Sequence, residues 1–273
     1  KWATVVGSPA FVDACRGIDV AANDTIYATG YIREQMEFGN VSVLVNPGWD
    51  GWIGALSPAG EWEWVRTFGG DDIDVGWDVA VDSKGNLAVT GFFQNTSFFG
   101  GAGAVTALSQ GNVYRYFLTY FNVTQQEFVW VKTTRGYGYS TAFQVVVDHT
   151  DDGIYTAGYN NGNEDYAFNN SSNPSGTWAA VVAKYSTNGT LKWIHSVDSS
   201  ACGLGSNCGA YFNNIIVHPF GGIVAGGQFL QDYRINGVVQ AASQGVWDVF
   251  VMRISVDGKV IWNSHGGSPG DDR

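Results

Sequence analysis

Seven Asn-x-Ser/Thr triplets carry the most readable chemistry in this sequence. They begin at Asn23, Asn40, Asn95, Asn122, Asn169, Asn170 and Asn188, whereas Asn173 is followed by Pro174 and drops out. In such a triplet the asparagine amide nitrogen accepts an N-linked oligosaccharide. Chance placement of this chain's Asn, Ser and Thr would supply roughly two or three. All seven fall where a turn or loop is expected, and Asn122 and Asn188 take the same turn of successive repeats. Sulfur points to the same compartment. Cys202 and Cys208 flank a glycine-rich stretch and are predicted to close a local disulfide, which an oxidising secretory environment allows. Cys15 is left over, as a buried thiol or the partner of a cysteine elsewhere. No histidine or further cysteine stands at zinc-finger spacing.

The acidic residues have a weaker signature. Asp71, Asp72 and Asp74 lie in a loop that Asp271 and Asp272 repeat, and carboxylates with carbonyls in a loop can hold Ca²⁺. The regular calcium-loop array is missing, so capping of backbone N–H groups is their expected role and Ca²⁺ a secondary one. No other cofactor is expected. None of the four histidines pairs with a nucleophile in a recognisable motif, so no enzyme is expected. An enzyme acting on extracellular polymer would need Asp71, Asp74 and His265 gathered in one place. Loop aromatics Trp49, Tyr137, Tyr139 and Tyr166 are the residues that would stack on sugar rings in a lectin-like module.

The elements that must position these residues are repeated. Trp2, Trp64, Trp130, Trp193 and Trp262 recur every 62–69 residues, and Gly30, Gly91, Gly158 and Gly227 every 61–69. Two independent markers drifting together define a repeat with variable loops. Each repeat reads as four short strands rich in Val, Ile and aromatics, bounded by Gly, Asn or Asp. In the second repeat these are GWDVAVD, NLAVTGF, YRYFLTYF and EFVWVK. The connection between the second and third strands is expected to be a long polar loop. The chain is therefore read as all-β, a β-propeller-type array of four-stranded antiparallel blades, in about four repeats of 60–70 residues. The repeats span about 2–63, 64–129, 130–192 and 193–261, and 262–273 opens a further one. The expectation is a single propeller domain or part of one, cut from a longer chain. The recurrent Trp would fill the space between blades, and the recurrent Gly would sit where backbones crowd near a central axis.

The segment FGGDDIDVGWDVAVDSKGNLAVTGFF (68–93) resembles the SBBP β-propeller repeat. The matching elements are Gly69-Gly70, Asp74, the turn Asp82-Ser83-Lys84-Gly85-Asn86, and Thr90-Gly91. Trp247-Asp248-Val249-Phe250-Val251, Gly258, Trp262 and Gly266-Gly267 match the later part of that pattern. The third repeat departs from it, with Thr134-Arg135-Gly136 in place of Gly-Gly. The resemblance implies a propeller in an extracellular or cell-surface protein, and it carries no catalytic residues.

Composition sets the outer limits. The 273 residues are 45% hydrophobic and 15% aromatic, enough for a large core, but only 14% charged, where about 25% is usual. Glycans would supply the missing solubility. A net charge of −11 opposes nucleic acid and anionic membrane as partners. No apolar run reaches the roughly 18 residues of a membrane helix. The combined expectation is a secreted structural glycoprotein that uses its repeats to contact copies of itself or neighbouring extracellular modules, in a coat, appendage or fibril.

Overall fold

The computed structural model describes all residues except 1, 5, 8–11, 44, 101–104, 109–112, 135–137, 162–177, 199–208, 271 and 273. The described elements are all strands, with no helix among them, and they gather into two compact units, Lys1–Thr133 and Thr134–Arg273. The first unit runs β1 (Ala14–Val20), β2 (Ile26–Ile32), β3 (Met36–Phe38), β4 (Val41–Val43), β5 (Asp50–Leu56), β6 (Trp62–Gly69), β7 (Asp74–Val81), β8 (Leu87–Gln94), β9 (Thr96–Phe99), β10 (Val105–Leu108), β11 (Tyr114–Asn122) and β12 (Glu127–Thr133). The second runs β13 (Tyr139–Asp148), β14 (Gly153–Asn161), β15 (Trp178–Tyr185), β16 (Leu191–Asp198), β17 (Ala210–Val217), β18 (Ile223–Phe229), β19 (Asp232–Ile235), β20 (Val238–Ala242), β21 (Asp248–Ile254) and β22 (Val260–Gly266). Each unit holds two antiparallel four-stranded meanders, β1-β2-β5-β6 and β7-β8-β11-β12 in the first, β13-β14-β15-β16 and β17-β18-β21-β22 in the second.

Both sequence markers hold fixed places in these sheets. The Gly marker sits on the second strand opposite Trp52, Phe117, Val181 and Phe250 of the third. The Trp marker sits on the fourth strand opposite Ala55, Tyr120, Lys184 and Arg253. The glycine is required by the first strand. That strand bulges at Arg16, Trp77, Phe143 and Asn213, where its register with the second strand shifts by one. The carbonyl just before each bulge is pressed onto the glycine. A Cβ at Gly30, Gly91, Gly158 or Gly227 would lie 1.8–2.0 Å from the oxygen of Ala14, Val75, Thr141 or Tyr211. The crowding expected at this glycine thus arises inside each sheet.

Within a unit the second sheet covers the first. β7 packs on β1, β2 and β5, and β17 on β13, β14 and β15. The first unit's core lies between its sheets and contains Tyr27, Ile53, Phe68, Val79, Leu87, Phe93, Phe117 and Phe121. The second unit's core contains Tyr155, Val182, Phe212, Ile215, Phe229, Tyr233, Phe250 and Met252. Trp64 bridges the sheets by stacking on Phe121 at 5.4 Å. Trp193 does so by donating Nε1–H to the Val256 carbonyl at 3.0 Å, its ring lying over Gly258 in the β21–β22 turn. Trp2 repeats this contact on the β5–β6 turn, donating to Pro58 and lying over Gly60.

Three of the four connections between second and third strands are not the plain polar loops that the sequence suggested, and the fourth, 162–177, lies outside the described residues. Those three contain hairpins: β3–β4 stands alone over a satellite core of Met36, Phe38 and Trp52, whereas β9–β10 pairs with β6 and β19–β20 with β16. An inserted hairpin from one sheet thus adds two strands to the outer edge of the sheet before it, giving six strands. The physical gain is an edge whose N–H and C=O groups are paired.

Candidate functional site: a buried carboxylate pair

The junction of β5, β6, β7 and β9 brings two carboxylates together. Asp50 begins β5 and Asp74 begins β7, and both are 0% exposed. Each turns Oδ2 back onto the chain four residues earlier. Asp50 accepts from the Asn46 N–H at 2.6 Å and its side-chain amide at 3.2 Å, and Asp74 accepts from the Gly70 N–H at 2.9 Å. Neither Oδ1 has a well-formed hydrogen bond, and the buried Ser97 hydroxyl on β9 lies beside Asp74, whose ionised form it favours. Gly69 forms the floor. A Cβ there would stand 2.1 Å from Asp50 Oδ1 and 3.2 Å from Asp74 Oδ2, so both carboxylates converge over one bare Cα.

Burial sets the electrostatics. It pushes Asp50 up to about 6 against the Asn46 donors, with the Asp71 charge adding to the rise. It pushes Asp74 up to about 7 against Ser97 and Gly70, with the charges of Asp50 and Asp72 adding.

The backbone-bonding pattern of the pair recurs in the second unit. Asp248 accepts from the Gln244 N–H and Asp272 from the Ser268 N–H, both at 2.6 Å and both four residues back. A Cβ at Gly267 would fall 2.1 Å from Asp248 Oδ1, which also lacks a partner. Across β15 of the third sheet and β17 of the fourth the pair is missing as a unit. By strand register Ala179 stands where Asp50 does, Ala210 where Asp74 does, and Asp198 where Gly69 does. Asp198 is raised by burial and drawn back by Arg234.

Of the calcium candidates, only Asp74 enters this site. Asp71 is exposed, and Asp72 accepts the Asn95 side-chain amide at 2.6 Å while its carbonyl takes the Trp49 N–H. Among the described residues no group of three or more His, Cys, Asp or Glu side chains is set to hold a metal. The sequence signal for Asp50 is a Trp-Asp pair at 49–50 with Gly-Gly at 69–70, repeated as 247–248 with 266–267.

Trp49 is a structural aromatic. It stacks on Tyr31 at 4.9 Å with planes 5° apart. Tyr114 and Trp178 hold the same register and pack on Phe92 and Tyr159 at 4.9 and 4.8 Å. Tyr139 is exposed and falls in the other unit from Trp49, and Tyr137 and Tyr166 lie outside the described residues.

Asn23, Asn40 and Asn188 are exposed in the β1–β2, β3–β4 and β15–β16 turns, and Asn122 is half-buried at the β11–β12 turn. Asn95 is half-buried and holds Asp72 through the nitrogen that would carry a sugar. Asn169, Asn170, Cys202 and Cys208 lie outside the described residues. Cys15 is an exposed thiol at the start of the edge strand β1, not the buried one expected. His195 places one ring nitrogen 2.6 Å from the Gly258 carbonyl and the other 2.7 Å from the Asn236 amide, and His218 accepts from the Phe220 N–H. His265 lies beside Tyr233 in the second unit, whereas Asp71 and Asp74 belong to the first. Comparison with known protein families and with curated proteins finds no match to this chain.

Proposed function

We propose that this chain is a repeat scaffold of a secreted, N-glycosylated structural protein. Its four-stranded sheets act as blades of a β-propeller of the SBBP type, and they contact copies of the chain or neighbouring extracellular modules face to face. The supporting observation is the surface of β21 and β22. Trp262 is 46% exposed, with Ile261 at 52% and Val251 at 39% beside it. The matching indoles Trp64 and Trp193 are packed against the next sheet of their unit. A sheet face of this composition is stabilised when a second sheet covers it. The exposed turns bearing Asn23, Asn40 and Asn188 are where glycans would keep the remaining surface soluble. Light scattering of the native protein tests the reading. Concentration-dependent association that Trp262→Ser abolishes is expected, and a glycan-free monomer at all concentrations would overturn it. Carbohydrate recognition by Trp49 has less support, because one face of its ring is already taken by Tyr31.

A further inference from the structure

We propose that Asp50, Asp74 and Ser97 form a binding site for a hard divalent cation of the calcium type, and that Asp248 and Asp272 repeat its carboxylate half. Two carboxylate oxygens without a well-formed hydrogen bond, Asp50 Oδ1 and Asp74 Oδ1, belong to fully buried side chains at one junction of strands, and the buried Ser97 hydroxyl stands beside Asp74. A buried carboxylate oxygen left without a donor is costly. Asp50 Oδ1 over Gly69, with Asp74 Oδ2 close by, compounds the cost through repulsion between the two carboxylates. A divalent cation removes both penalties, since two carboxylates balance its charge. A hydroxyl, main-chain carbonyls and water are the neutral oxygens that such ions accept to complete their shell. No sulfur or imidazole lies among these donors, which disfavours the softer transition metals.

The repeat supplies an independent argument. If the aspartates served the fold alone, each could be lost separately. At the equivalent places in the second unit both are alanine together, Ala179 on β15 of the third sheet and Ala210 on β17 of the fourth. In the fourth, Asp248 returns with Gly267 beneath it and Asp272 following. In these two instances the two carboxylates and the bare glycine are kept or dropped together, as expected of groups that share one ligand, and at the same registers β11 carries Arg115 and β13 Ser140. Ser97 extends the case, because the β9 hairpin that crosses to β6 is what carries its hydroxyl to Asp74.

The test uses the full chain, stripped with EDTA and titrated with Ca²⁺ by calorimetry, and with Tb³⁺ by luminescence. Trp49 and Trp52 flank Asp50 and would sensitise bound Tb³⁺. Saturable Ca²⁺ uptake is expected, with Tb³⁺ emission that Ca²⁺ displaces and a melting temperature raised by on the order of 5 °C at saturating Ca²⁺. The double variant Asp50→Ala/Asp74→Ala copies the alanine pair with which the second unit already folds, and it should lose the sensitised emission. Should that variant fail to fold, Asp248→Ala gives the second reading, by removing uptake at the repeated site while the first unit keeps its own. Absence of Ca²⁺ uptake by the native chain overturns the proposal. So does uptake and emission unchanged in a folded double variant, or stabilisation by acid alone with no response to Ca²⁺, which would mark a pair that shares a proton. None of these readouts depends on self-association.

Discussion

The Asp50 carboxylate fills the space that a side chain at Gly69 would need, with Oδ1 only 2.1 Å from where a Cβ would stand. Where position 69 does carry a side chain, as Asp198, position 50 has shrunk to Ala179. The two positions therefore exchange volume across a strand pair. Gly69→Ala alone should destabilise the protein by about 1–3 kcal/mol, as overpacking of a closed site does. Adding Asp50→Ala should return the part of that loss due to crowding, while the strain of a side chain at φ +155° remains. Urea denaturation of the two single variants and the double should show a coupling of roughly 0.5–3 kcal/mol, and strict additivity would mean that the two groups do not compete for space.

Acid sensitivity is expected at the other end of the second unit's sheets. Burial alone would raise Asp148, but the Thr150 hydroxyl and N–H, the Gly222 N–H and the Lys184 charge outweigh it and hold the carboxyl below its usual value. Asp148 joins the β13–β14 turn to Gly222 of the next sheet, 3.0 Å away. A carboxyl depressed on folding contributes stability that is complete above its unfolded value of about 3.9 and is lost as pH falls through the folded one. Asp148→Asn should therefore cost stability at pH 7 and cost much less near pH 2. Melting temperatures of both proteins across that range would show the two curves converge. Parallel curves would assign Asp148 a role that does not depend on its charge.

Glycan occupancy should follow what each asparagine already does. Asn23, Asn40 and Asn188 are exposed in tight turns, whereas Asn95 donates its amide to Asp72. A sugar on Asn95 would disturb a bond to a charged group worth about 1.5–3 kcal/mol. Glycopeptide mass spectrometry of native material should find Asn95 the least occupied of the five described triplets. Full occupancy there would show that the Asp72 contact is dispensable.

The repeat was legible because its two markers do work that no other residue type can do. Only glycine tolerates the carbonyl of a bulged first strand at Gly91, and an indole such as Trp193 can both fill the space between sheets and donate to the next turn. The inserted hairpins were missed because three- to five-residue strands leave almost no alternation to detect. One signal was present nonetheless. Asn236-Gly237 sits between DYRI and VVQAA, with φ of +50° and +79°, the pattern of a tight two-residue hairpin turn. The carboxylate pair was half legible. The acidic run pointed to Asp74, but its partner Asp50 lies on another sheet, and nothing in a linear spacing announces a contact made by stacking. Asp71, the most conspicuous member of that run, is on the surface.

Adjacent glycines on β18 offer the sharpest check of why the marker glycine exists. A Cβ on Gly227 would lie 1.9 Å from the Tyr211 carbonyl oxygen, a backbone atom that cannot rotate away. A Cβ on Gly226 would meet nothing closer than the Phe250 oxygen at 3.7 Å, an ordinary contact. Both residues are half-buried in the same strand, so a general intolerance of the strand to alanine would affect them alike. Gly226→Ala should be neutral or stabilising by about 0.4–1 kcal/mol, through the smaller freedom of the unfolded chain. Gly227→Ala must push the bulged strand β17 off β18 and should cost on the order of 1–3 kcal/mol or more. Equal effects in urea denaturation would mean that the bulge yields readily, and the recurrence of this glycine would then need a cause other than the carbonyl pressed against it.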